Sequence, residues 1–211
     1  MARRPETIAF WRGHLPHWEV SDGRYFVTIH LRGAIPAQGQ RRIRAISGDL
    51  EKLTHRDENQ RLELQRRIFA EMESWLDRIA SVDHLHAPEV AKMVMEAIAF
   101  RDGRDWRVFE FVVMPNHLHL FFELLGNSVL GNGDSRLKQT IEQFKRWTGH
   151  EAARLLSLDG NRFWQDEWFD HWSRSDEEDE RICNYIRRNP EKAGLVASYQ
   201  DWPYGSWSKS L

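Results

Sequence analysis

A chain of 211 residues with a single cysteine, Cys183, can build neither an internal disulfide framework nor a multi-cysteine zinc site. That composition suits a reducing compartment, and Cys183 itself reads as a small buried apolar side chain. Long hydrophobic runs are also lacking. No stretch approaches the length of a membrane span, and the opening MARRPETIAFWRGHLPHW has no continuous apolar core of the signal-peptide kind, so a cytoplasmic protein is expected. Charge of one sign is lacking too: 30 Lys and Arg stand against 32 Asp and Glu, a formal net charge of −2. Any binding to a polyanion must therefore come from local patches. There is no internal repeat and no low-complexity tract. With 41% hydrophobic residues the chain can bury one substantial core, and a single domain over 1–211 is expected.

What is present is aromatic: ten tryptophans run from Trp11 to Trp207, and most should pack beneath loops. Residues 1 to 23, rich in Arg, Pro, His and Trp without periodicity, read as an irregular arm ending at Ser21-Asp22-Gly23. Arg24 to Arg32 has the β-branched and aromatic character of a strand bounded by glycines. From Arg41 to about Ala80 the apolar positions follow helical spacing, with a polar break at Thr54 to Gln60, and this reads as a helical insertion without a site-like cluster. Arg41, Arg42 and Arg44 in it form either a solvated face or a phosphate-contacting edge. Pro88 suits the first turn of a helix to about Phe100. Ser135 can cap a helix through about Leu155, and Ser175 another that is acidic at its start and basic at its end, as the helix dipole favours. Pro190 predicts that this last helix stops at about Asn189. A strand is expected within the aromatic stretch 161–172.

The sequence is organised around Phe109 to Leu124, FEFVVMPNHLHLFFEL, two strands folded back across Met114-Pro115-Asn116. Alternation puts Leu118, Leu120, Phe122 and Leu124 on one face and His117, His119, Phe121 and Glu123 on the other. Two imidazoles side by side can hold one metal ion. A second HxH, His84-Leu85-His86, lies in a connection where nothing holds its rings parallel. Removing the insertion and the last helix leaves the order β-α-β-β-α-β, which predicts an α+β protein with a ferredoxin-like, split βαβ antiparallel sheet.

On the helix after Ser175, Tyr185 and Asn189 are four residues apart and share one side, beside Ile182 and Ile186. An amide oxygen there can be a third ligand to an ion held by two imidazoles, with the phenol oxygen nearby. A tyrosine nucleophile, two histidines and an amide together suggest phosphoryl transfer.

Met114-Pro-Asn-His-Leu-His-Leu120, Phe163-Trp-Gln165, and Tyr185-Ile-Arg-Arg-Asn-Pro-Glu-Lys-Ala-Gly-Leu-Val196 followed by Asp201-Trp-Pro203 closely resemble the REP-associated tyrosine transposases. Those are domesticated relatives of the single-tyrosine HUH transposases, named for a histidine–hydrophobic–histidine pair. Leu15-Pro-His-Trp-Glu-Val20 and Tyr25-Phe-Val-Thr28 are similar too, so the resemblance spans nearly everything outside 41–80. It departs at that insertion, at Ser173 and at Gly205. The resemblance implies an HUH nuclease that cleaves single-stranded DNA at or near palindromic repeat hairpins. Tyr185 would be the nucleophile on a catalytic helix at 175–189, His117 and His119 the metal pair, and Asn189 the residue completing the site. It implies a divalent cofactor, Mg²⁺ or Mn²⁺, of which the mixed nitrogen and oxygen ligands suit Mn²⁺ somewhat better. Attack would leave a 5′-phosphotyrosine and a free 3′-hydroxyl.

Lys138, Lys145, Arg146, Arg187, Arg188 and Lys192 are candidate phosphate contacts, and Trp164 a candidate stacking platform, each weighed against a solvated charge or a core aromatic. A monomer is expected in preference to a dimer. The rival readings are a non-catalytic DNA-binding protein that keeps the fold and a replication initiator or relaxase of the HUH class. A histidine-triad hydrolase would need a histidine where Phe121 stands.

Overall fold

The computed structural model describes residues 3, 5–51, 58–78, 82–126, 135–158 and 162–208. Most of the polar break at 54–60 and the glycine-rich stretch 127–134, expected as connections, lie outside these. So do Leu53 and Ile79, expected on the apolar stripes of the insertion.

The sheet that carries the site has four strands. They are β3 (Arg24–His30), β4 (Trp106–Val113), β5 (His117–Leu124) and β6 (Phe169–Trp172), in the order β4-β5-β3-β6. Every pairing is antiparallel. Helix α3 (Pro88–Arg101) lies between β3 and β4 in the chain, and α4 (Arg136–Leu155) between β5 and β6. Each helix thus joins two strands separated in the sheet by one other, which is the expected split βαβ arrangement.

One face of the sheet is core. Leu118, Leu120 and Phe122 of β5 and Tyr25, Val27 and Ile29 of β3 are buried on it. Above them Trp106 packs on Phe122 and on Phe144 of α4, and its indole N–H donates to the Ile98 carbonyl of α3 at 3.2 Å. Ser135 caps α4, accepting from the Lys138 amide at 3.1 Å.

The second face carries His117, His119 and Phe121 with their neighbours Phe26, Thr28 and His30 on β3. Two helices cover it. One is α5 (Asp176–Lys192), capped by Ser175. The other is the second member of the pair α1 (Ala37–Glu51) and α2 (Glu58–Leu76), the two helices predicted between 41 and 80. Phe69 of α2 meets Phe26 and Phe169 with ring centroids 5.4 and 5.1 Å apart.

Two expectations are corrected. Residues 1–23 are not an irregular arm, because β1 (Thr7–Arg12) and β2 (Pro16–Val20) form an antiparallel hairpin. Its buried positions include His17 and Glu19, so polar residues hide the alternation that marks a strand. Their partners explain the burial: His17 Nδ1 pairs with Asp170 of β6, and Glu19 accepts from the Ser135 hydroxyl at 2.6 Å and the Leu137 amide at 3.1 Å. The second correction concerns α5, which continues past Asn189 to Lys192 with Pro190 inside it. Proline withholds only its own amide. The following turn still closes, with Ala193 donating to Asn189 and Leu195 to Pro190.

The C-terminal segment runs along β4. The Val113 amide donates to the Tyr204 carbonyl at 2.8 Å, and Gly205 bridges to Val112. A Cβ at Gly205 would fall 2.4 Å from the Trp207 ring, so the tail cannot pack this way with a larger residue there. Among the described residues no helix is long and apolar enough to cross a membrane. Cys183 is half-buried on α5, and burial pushes its thiol up to about 11, away from reactivity.

Candidate active site

Strand pairing places His117 opposite His30 and His119 opposite Thr28. Both imidazoles are buried, and their Nε2 atoms lie 3.0 Å apart. The outer nitrogens determine which lone pairs are available. His117 Nδ1 is 2.6 Å from Asn116 Oδ1, which can only accept, so Nδ1 carries the proton and Nε2 is bare. Asn116 is itself held, its Nδ2 donating to the Leu76 carbonyl at the end of α2 at 2.9 Å. His119 Nδ1 is 2.9 Å from the Thr28 hydroxyl, which can orient that ring in the same sense. Burial, then the neighbouring His119, hold the His117 pKa well below its ordinary value, so this imidazole stays neutral and keeps its lone pair.

The third group comes from a place the sequence did not mark. Glu73 of α2 is buried with Oε2 3.6 Å from His119 Nε2. Glu73, His117 and His119 each offer a ligand atom, all within 4.8 Å of one another. The expectation that the 41–80 segment holds no site-like residue is therefore corrected. Glu73 follows Phe69 by four residues and so shares its side of α2, but only the packing of α2 on the sheet brings it to the histidines.

Tyr185 and Asn189 of α5 arrive over the same face, as their spacing predicted. The Tyr185 hydroxyl donates to Glu73 Oε2 and receives a hydrogen bond from Asn189 Nδ2 at 3.2 Å. The ring stands edge-on to His119, centroids 5.4 Å apart. Burial and then the Glu73 charge raise the phenol pKa well above its ordinary value of about 10. Burial also opposes ionisation of Glu73, but His119 first and the hydrogen bond from the Tyr185 hydroxyl outweigh it and keep the carboxyl below its usual range.

A cation suits this group on two observations. Two imidazole Nε2 atoms converge beside a carboxylate, and two buried oxygens here, Glu73 Oε1 and Asn189 Oδ1, accept no hydrogen bond. Nitrogen and oxygen donors of this kind match a divalent first-row or alkaline-earth ion.

The other sequence candidates are dispersed. Lys192 pairs with Asp77 just after α2 at 2.7 Å, its Nζ 5.9 Å from the Tyr185 ring centre, and so lies beside the site. Arg187 pairs with buried Glu110 of β4 at 2.6 Å, while Arg188 is exposed. Lys138, Lys145 and Arg146 lie on α4, on the other side of the sheet. Lys145 donates to the Asp166 carbonyl at 2.5 Å. Trp164 is buried, its N–H donating to Thr148 at 2.8 Å, so its ring is a core element and not a free stacking platform. His84 and His86 occupy a short 3-10 turn and join no ligand cluster among the described residues. Asn116, Thr28 and Glu73 are the site residues that sequence reasoning missed.

The sheet order and its connections define an α+β protein of the ferredoxin-like class. In sequence the chain is similar to REP-associated tyrosine transposases. It is 29% identical over 121 residues to a Haemophilus influenzae protein provisionally given that name, covering 54% of this chain and 67% of that protein. It is 25% identical over 114 residues to the Escherichia coli REP-associated tyrosine transposase, covering 54% of this chain and 62% of that one. The fold is shared with a solved REP-associated tyrosine transposase bound to a REP hairpin, at a TM-score of 0.51 and 18% identity over 93% of this chain and 81% of the other. No family model matches the sequence.

Proposed function

We propose that the protein is a divalent-metal-dependent endonuclease and strand transferase acting on single-stranded DNA at or near palindromic repeat hairpins, with Tyr185 as its nucleophile. One observation carries this reading: the Tyr185 hydroxyl, the Glu73 carboxylate and the Nε2 atoms of His117 and His119 meet over one sheet face. The relatives' name and the hairpin bound by the structural neighbour supply the substrate class.

Each residue has a distinct part. His117, His119 and Glu73, with Asn189 Oδ1 at hand, would hold an Mg²⁺ or Mn²⁺ ion, which supplies positive charge against the scissile phosphate. Tyr185 Oη forms a bond to phosphorus as the bond from phosphorus to the 3′-oxygen breaks. The product is a 5′-phosphotyrosine and a 3′-oxygen that takes up a proton. Glu73 Oε2 holds the phenol by its hydrogen bond, and the proton leaves to water as the bond to phosphorus forms. Asn189 orients the phenol from its other side. Because the new ester keeps the energy of the phosphodiester, attack by a 3′-hydroxyl reverses the step and joins strands.

The test is incubation of a single-stranded hairpin oligonucleotide with the protein and Mg²⁺ or Mn²⁺. A covalent protein–DNA adduct is expected, absent in Tyr185→Phe although that variant still binds. An adduct formed by Tyr185→Phe would remove Tyr185 from the role. Binding by the unaltered protein without an adduct under either metal would leave a hairpin-binding module.

A further inference from the structure

A cleft of about 340 Å³ opens directly beside the proposed nucleophile, within the range of small-ligand sites. The ring of Tyr185 forms part of its wall. Phe69 and Phe169 form more of it, with Phe69 5.5 Å from Tyr185 and 5.1 Å from Phe169 between ring centres. Gln65 of α2, two turns before Glu73 on the same side of the helix, also lines the cleft. Its side chain is buried, 6% exposed, and Oε1 accepts no hydrogen bond. A buried carbonyl oxygen without a donor is costly unless a ligand supplies one. Arg66 and Arg181 stand exposed at the edge. The acid in the lining, Glu178, is already engaged by His171 at 2.9 Å and the Arg174 amide at 2.7 Å.

Aromatic walls, a buried acceptor without a donor and cations at the rim are the chemistry that receives an unstacked nucleobase while its phosphates stay outside. We infer that this cleft is a base-specific subsite for the nucleotide flanking the scissile phosphate, with Gln65 as the residue that reads the base. This rests on the nuclease reading above and adds a specificity determinant supplied by α2. An acceptor takes a hydrogen bond from a base's exocyclic amine or ring N–H, so bases that carry their donor at different places on the edge bind unequally there. Arg66 contributes to affinity without distinguishing bases.

The experiment compares hairpin oligonucleotides identical except for the base on either side of the cleaved position. Adduct formation is measured with the unaltered protein, Gln65→Leu and Arg66→Ala, and binding with the same substitutions in Tyr185→Phe. At one flanking position the unaltered protein should favour one base over the other three by roughly ten-fold. Gln65→Leu should reduce that preference to about two-fold or less. Arg66→Ala, at an exposed position, should weaken all four substrates alike. If Gln65→Leu keeps the preference, or if no flanking position shows one, the subsite is refuted. Should Gln65→Leu not fold, Gln65→Met takes its place with the same expectation. Failure of the unaltered protein to form any adduct would refute the nuclease reading alone, because the binding series reads the base preference without chemistry.

Discussion

The Tyr185 hydroxyl of α5 donates to the Glu73 carboxylate of α2, residues 112 apart in the chain. Glu73 also faces His119, so one carboxylate touches both halves of the site. Glu73→Ala should weaken Mn²⁺ binding by at least about ten-fold, as loss of a charged donor from a buried set does. Titration calorimetry with Mn²⁺ checks this. Unchanged affinity would mean that Asn189, and not Glu73, completes the donor set.

Asn116 fixes the His117 tautomer while holding the end of α2 through Leu76. Asn116→Ala should cost about 10- to 100-fold in Mn²⁺ affinity or adduct rate. Asn116→Asp, which keeps the acceptor, should recover most of it. Equal loss in both variants would point instead to the lost tie to Leu76.

Arg187 and Arg188 are neighbours with opposite expected behaviour. Arg187 pairs with Glu110, which is 3% exposed, so Arg187→Ala should destabilise the fold by about 1–3 kcal/mol by stranding a buried carboxylate. Arg188 is exposed, and Arg188→Ala should leave urea stability unchanged while lowering the salt dependence of DNA binding by about one unit of slope. Denaturation and binding at several salt concentrations separate the two.

The His17 imidazole is buried between Asp170 and Glu167. Burial opposes its charge, but Asp170 and then Glu167 outweigh that and push it up to about 9. The folded value lies above the unfolded value of about 6.5, so the stabilisation is complete below about pH 6.5 and is lost as pH rises through about 9. The urea midpoint should therefore fall between about pH 7 and pH 10, and His17→Gln should flatten that fall. A midpoint independent of pH over this range would mean that His17 is not charged in the fold.

The relation between Tyr185 and Glu73 also marks where the sequence stops being readable. The strands of the hairpin and the starts of the helices follow from local patterns: alternation in 109–124, helical spacing after Pro88, and caps at Ser135 and Ser175. The histidine pair and the Tyr185 to Asn189 spacing were legible for the same reason, since residues two apart on a strand or four apart on a helix share a side whatever surrounds them. The hairpin at 7–20 was not legible, because polar His17 and Glu19 are among its buried residues and their partners Asp170 and Ser135 are remote in the chain. Glu73 had the spacing of any charged residue on a charged helix. Only the docking of α2 onto the sheet, through Phe69 against Phe26 and Phe169, turned that helix from an apparent insertion into a wall of the site. By itself the sequence determined which side chains share a face. Which faces meet was decided by tertiary packing, because burial rewards the pairing of whole surfaces and no local pattern encodes the partner.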